Sequence, residues 1–146
     1  MIAPSLFDRE SQKIELNYDA DGVEQGRALK DSLDSFSEND IAACCNHFMN
    51  GLKLAVVGYC WGGSLAWRVA CRSSRFDAAI CYYGGEIPSL SSEKPHCPVQ
   101  AHFGRQDSTI PISDVVNFIS LRPEVETFIY DADHGFSCHH RKQYHQ

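Results

Sequence analysis

The 146-residue sequence predicts an α/β fold in which a parallel sheet is flanked by helices, and three observations carry that reading. Short apolar runs alternate with segments of helical spacing. The runs end at glycine or aspartate, as buried parallel strands do. The polar residues able to do chemistry fall just after those runs, where open α/β sheets bind their ligands.

The elements follow in order. From Asp21 to Phe36, Val23, Ala28, Leu29, Leu33 and Phe36 recur at helical spacing after an Asp-Gly start. A second helix is predicted from Ser37 to Met49, with Ser37 as N-cap, Glu38 and Asp40 at the positive end of the dipole, and Asn50-Gly51 as the stop. Leu54 to Val57 is the first clear strand, and Gly63 to Arg72 is the helix after it. Phe76 to Tyr83 is an apolar strand ending at Gly84-Gly85. Val99 to Phe103 is a strand, Ile112 to Leu121 a helix and Thr127 to Tyr130 the last strand. With no internal repeat or linker, residues 1–146 read as a single domain.

Between the first clear strand and its helix lies Gly58-Tyr59-Cys60-Trp61-Gly62-Gly63. A nucleophile on a tight strand-to-helix turn needs neighbours almost free of side chains, and Gly58 and Gly62 are expected to supply that room. Cys60 stands at the apex. The backbone N–H of Trp61 is expected to face a developing oxyanion, and the helix N-terminus favours a thiolate. Asp107 follows the strand ending at Phe103, and His134 follows the strand ending at Tyr130, so all three side chains fall at one edge of the sheet. In that order they can act as nucleophile, orienting acid and general base.

Composition limits the alternatives. A net charge of −6 with no Lys/Arg cluster argues against nucleic-acid binding. No apolar stretch reaches the length of a membrane span, and Met1-Ile2-Ala3-Pro4 lacks the charged and apolar regions of a signal peptide, so a cytoplasmic location is expected. The seven cysteines include no Cys-x-x-Cys pair. Cys71 and Cys81 sit in apolar surroundings and read as core thiols, as do Cys44 and Cys45 within a helix. Cys138, His139 and His140 cluster after His134, but a structural zinc needs four convergent ligands and no partner pair with ligand spacing occurs elsewhere. His102, on a strand, reads as a structural histidine.

With these residues in place the sequence resembles the dienelactone hydrolase (carboxymethylenebutenolidase) family of the α/β-hydrolase superfamily. The resemblance rests on Ile2 to Arg9, Tyr18 to Lys30, Val56 to Gly63, Cys81 to Gly85, His102 to Asp107 and Asp131 to Phe136. It implies hydrolysis of an enol-lactone or activated carboxylic ester through a cysteine acyl-enzyme, with Cys60, Asp107 and His134 as triad and with no metal or organic cofactor. It also implies a substrate-binding role for Arg9, which occupies the place of an arginine that holds the substrate carboxylate in family members acting on dienelactone. A second such arginine, four residues after the histidine in some members, is Cys138 here.

Against the family pattern, Ile2-Ala3-Pro4 reads as the tail of a strand whose predecessors, with an early glutamate and the second oxyanion donor, are not in this sequence. The last packing helix is not in it either. The expectation is a partial α/β-hydrolase fold lacking the N-terminal strands, with an exposed sheet edge that favours self-association. Two functional readings follow: a thiol-dependent hydrolase of small-molecule lactones or esters, or an inactive remnant or interaction protein that keeps the triad residues. A redox-sensing thiol protein is a third, weaker reading, since the sequence shows no resolving partner for Cys60.

Overall fold

Strands β1 (Ala55–Tyr59), β2 (Ala78–Tyr82), β3 (Val99–Gly104) and β4 (Glu126–Tyr130) pair in parallel in the order β1-β2-β3-β4. Helices α2 (Trp61–Arg72) and α3 (Ile112–Leu121) lie between them in the chain, and α1 (Ala20–Cys45) precedes them. The structure is a computed structural model that describes residues 1–48 and 51–145. Its α-carbons form two compact units, Met1–Leu52 and Lys53–Gln146. Among the described residues no helix is long and apolar enough to cross a membrane.

In the first unit one helix stands where the sequence predicts two. Asp19 caps α1, its side chain accepting the Gly22 N–H at 2.8 Å. Ser37 does not cap: it is buried mid-helix and its hydroxyl donates to the Leu33 carbonyl, one turn back, at 3.2 Å. The Ser-Phe-Ser-Glu-Asn-Asp stretch resembles punctuation, yet no glycine or proline interrupts the chain between Gly26 and Gly51, so the helix runs through it. It ends at Cys45; Met49 and Asn50, at the expected stop, lie outside the described residues. Ile2-Ala3-Pro4 is not a strand; it leads into turns around Phe7–Glu10.

The second unit follows the predicted alternation. Strand register brings the small residues Gly58, Cys81 and Ala101 side by side on one face, beside Ala79. On that smooth face lies α2, buried round almost its whole circumference from Gly63 to Cys71. Trp67, fully buried, meets Phe118 of α3 edge-to-face at 5.3 Å, which joins the two helices. Cys71 and Cys81 are core thiols, as read from the sequence; burial pushes Cys71 up to about 12 and Cys81 higher still. On the opposite face the rings of Tyr59, Tyr82, His102 and Phe128 stack in register, one per strand, at 4.9, 4.3 and 4.9 Å. His102 is buried in that stack, with Nδ1 2.9 Å from the Tyr130 hydroxyl.

Of the two glycines expected to make space at the β1–α2 turn, Gly58 does so and Gly62 does not; its neighbour Gly63 takes that part. A β-carbon on Gly58 would lie 1.8 Å from the Gly62 carbonyl oxygen, and one on Gly63 would lie 2.4 Å from the Tyr82 oxygen. One on Gly62 meets nothing within 4 Å. Backbone therefore rides on backbone at positions 58 and 63. Gly58→Ala is expected to destabilise the protein by about 3 kcal/mol or more, because neither strand nor helix can yield. Gly62→Ala is expected to cost less than about 1 kcal/mol. Chemical denaturation of the two variants checks this, and equal losses contradict the assignment.

Candidate active site

Cys60 sits on the turn between β1 and α2 in a backbone conformation that L-residues rarely adopt, with φ 55° and ψ −119°. Such strain costs on the order of 1–3 kcal/mol and persists only where the surroundings enforce it. Two hydrogen bonds do so. The Cys60 N–H donates to the Tyr82 carbonyl at the end of β2 (3.0 Å), and the Cys60 carbonyl accepts from Ser64 N–H in the first turn of α2 (3.1 Å). The side chain is thereby lifted clear of the sheet, and Cys60 is the exposed member of the seven cysteines.

Asp107 and His134 are delivered by loops that continue the β3–β4 pairing beyond the strands. The Arg105 N–H donates to Tyr130 oxygen (2.7 Å) and the Gln106 N–H to Ala132 oxygen (3.0 Å). Gly104 permits this approach, since a β-carbon there would lie 2.3 Å from the Ala132 oxygen. The Asp107 carboxylate is almost wholly buried and fully engaged. Its Oδ1 accepts from Thr109 N–H (2.8 Å), the Thr109 hydroxyl (2.6 Å) and Ile110 N–H (3.2 Å). Its Oδ2 lies 2.7 Å from His134 Nδ1. On the other side of the ring, His134 Nε2 is 3.1 Å from Cys60 Sγ. The three side chains named from sequence thus form one unbroken hydrogen-bonded series.

The ring of His134 is also held from the side. Tyr83, at φ 37°, sets its ring edge-on to the imidazole at 5.1 Å, and its hydroxyl is 2.7 Å from the Ser137 hydroxyl. The His134 N–H donates to Asp133 Oδ1 at 2.6 Å. Sequence reasoning missed Thr109 and Tyr83. Tyr83 had a signal, since it ends a strand just before Gly84-Gly85; Thr109 had only its place two residues after Asp107, where an Asx-type turn is common.

Electrostatics follow from these contacts. Although Cys60 is exposed as a residue, the protein packed around its sulfur disfavours the charged form, but the hydrogen bond and charge of His134, the Trp61 backbone N–H and the charge of Arg141 outweigh this and leave the thiol below its ordinary value. Burial likewise opposes a charged His134, and the hydrogen bonds and charges of Asp107 and Cys60 prevail, pushing it up to about 9. Asp107 is buried too, yet the bonds from His134 and Thr109 hold its carboxyl below the usual range. The arrangement can hold a thiolate beside an imidazolium and pass a proton between them.

Arg9 belongs to the first unit. There its guanidinium forks the Asp40 carboxylate, with Nε at 2.9 Å from Oδ2, and lies 5.0 Å from the centroid of the Phe36 ring.

Comparison with known proteins identifies the family. The profile of the dienelactone hydrolase family matches residues 1–146. Carboxymethylenebutenolidase 1 of Cupriavidus pinatubonensis is 36% identical over 115 residues, covering 73% of this chain and 48% of the relative. A protein of Synechocystis sp., provisionally described as a carboxymethylenebutenolidase, is 27% identical over 163 residues, covering 98% of this chain and 66% of the relative. The chain thus spans roughly half to two thirds of the length of these curated relatives. A crystal structure from Klebsiella pneumoniae subsp. pneumoniae, provisionally assigned as a dienelactone hydrolase, superposes with a TM-score of 0.65 at 23% identity, covering 82% of this chain and 60% of that one. A sheet that ends in Cys60, Asp107 and His134 and a profile that matches from the first residue to the last lead to one conclusion: the chain belongs to the dienelactone hydrolase family, on an α/β-hydrolase fold.

Proposed function

We propose that this protein hydrolyses enol-lactones or similarly activated carboxylic esters through a cysteine acyl-enzyme. The observation that carries the reading is the continuous series from Cys60 Sγ through both nitrogens of His134 to Asp107 Oδ2. The Cys60 thiolate attacks the acyl carbonyl, and its electron pair forms the C–S bond while the carbonyl pair moves to oxygen. The Trp61 N–H, already directed at the sulfur, donates to that oxyanion. As the intermediate collapses, the C–O bond to the leaving oxygen breaks and His134 Nε2–H protonates it. Water then adds to the thioester with His134 as base, releasing the carboxylic acid and restoring the thiol. Asp107 keeps Nδ1 bonded through both halves.

A thiolate leaves a tetrahedral intermediate more readily than an alkoxide. The site therefore suits leaving groups that are themselves stabilised, as an enolate or phenolate is. This reasoning supports an enol-lactone or aryl ester over an ordinary alkyl ester. No step requires a metal or organic cofactor. A role for Arg9 in binding a substrate carboxylate fits the family, and such a carboxylate would share the guanidinium with Asp40, which engages Nε and Nη2. Seven unbridged cysteines suit a reducing compartment such as the cytoplasm. The alternative of an inactive remnant draws no support from a triad with every bond in place.

Four outcomes are expected. Purified protein hydrolyses a p-nitrophenyl ester, and Cys60→Ala lowers that rate to background; equal rates for the two would sink the proposal. Asp107→Asn, which loses the acceptor for Nδ1–H, lowers kcat by up to about 10⁴-fold, as in comparable triads. Iodoacetamide at pH 7 modifies Cys60 ahead of the other six thiols. Removing His134 takes away the hydrogen bond and charge that lower Cys60 and leaves the burial that raises it, so His134→Ala moves the alkylation profile to higher pH. An unmoved profile, followed by mass spectrometry, contradicts the thiolate–imidazolium pair.

A further inference from the structure

Thr109 touches both the acid and the base of the site. Its hydroxyl oxygen is 2.6 Å from Asp107 Oδ1 and 3.1 Å from His134 Nδ1. A hydroxyl has a single proton, and an ionised carboxylate oxygen can only accept, so that proton is committed to Oδ1. Towards Nδ1 the oxygen then offers lone pairs alone. Asp107 Oδ2, 2.7 Å from the same nitrogen, also only accepts. Nδ1 must therefore carry a proton, shared between a strong acceptor and a weaker one, while Nε2 is left to exchange its proton with Cys60 Sγ.

One acceptor fixes a direction for the Nδ1–H bond but leaves the imidazole free to tilt about it. Two acceptors on separate groups, themselves joined by a hydrogen bond, close a ring of contacts and remove that freedom. We propose that Thr109 is a positioning residue that acts through His134, its hydroxyl serving as second acceptor for Nδ1–H and holding the imidazole so that Nε2 stays aimed at the reacting atoms. This rests on the triad reading above. Asp107 does not depend on the hydroxyl for its own placement, because the Thr109 and Ile110 N–H groups bind Oδ1 from the backbone whatever the side chain. Thr109 is also exposed, so a change of side chain opens no core cavity.

Thr109→Val keeps the shape and removes the hydroxyl, Thr109→Ser keeps the hydroxyl, and Thr109→Ala serves if the valine variant does not fold. With a p-nitrophenyl ester, Thr109→Val is expected to lower kcat roughly ten-fold, the worth of one hydrogen bond, with KM little changed. Thr109→Ser is expected to restore kcat to within about two-fold. The proton NMR resonance of His134 Nδ1–H is expected to shift and to exchange faster with water in the valine variant, and to return in the serine variant. A valine variant with wild-type kcat and an unmoved Nδ1–H resonance overturns the proposal, as does a folded serine variant that loses as much as valine. The resonance is read without substrate. If Cys60→Ala hydrolyses the ester as fast as the wild type, the hydrolase reading fails while the resonance still decides the role of Thr109.

Discussion

The backbone at Cys60 is the constraint from which the rest of the site follows. A residue at φ 55° is unfavourable by itself and is held because its N–H is bound to Tyr82 and its carbonyl to Ser64. Those two bonds tie β1 to β2 and start α2 in a single turn. Gly58 and Gly63 let the helix begin directly against strand backbone, so the sulfur ends above the sheet while Trp67, further along the same helix, is in the core. Release of the turn would move the sulfur and the packing of α2 together.

Electrostatics at the site is a contest between burial and hydrogen bonding, and the bonds win at all three groups. For Asp107 and Cys60 burial favours the neutral form, and for His134 it favours the neutral imidazole. An isolated buried charge costs several kcal/mol. Here each charge has its counterpart: three loop donors and an imidazole surround the carboxylate, and the thiolate and carboxylate bracket the imidazole. The separation of Cys60 from the core thiols has the same origin. At Cys71 and Cys81 burial prevails, at Cys71 against the charges of Arg72 and Arg122, and their thiols are pushed up instead of down.

What was legible in the sequence was whatever had a local cause. Apolar runs of strand length, a glycine-bounded turn around Cys60, and polar residues just past strands were enough for the parallel order and for the three side chains that meet. Features set by tertiary context were less legible. Ser37 has the chemistry of a cap and becomes an interior helix residue because nothing nearby breaks the chain. Gly62 and Gly63 are equivalent in sequence, and only the path of β2 decides that 63 is the crowded one. Thr109 acquires its partners from the fold of the loop after β3, which its neighbours in sequence do not specify.

The contact of Gly104 with Ala132 has a consequence for how such a site can vary. The loops carrying Asp107 and His134 touch through main-chain atoms, with amides at 105 and 106 bound to carbonyls at 130 and 132. The spacing of acid and base is therefore a property of the backbone and is insensitive to most side chains around it. Cys60 is anchored separately, to the end of β2 and the start of α2. The site is built from two braced halves that meet at the sulfur–nitrogen contact and where Tyr83, at the end of β2, bears on His134 and Ser137. Changes in the surrounding side chains can reshape what is admitted to that contact without retuning either half.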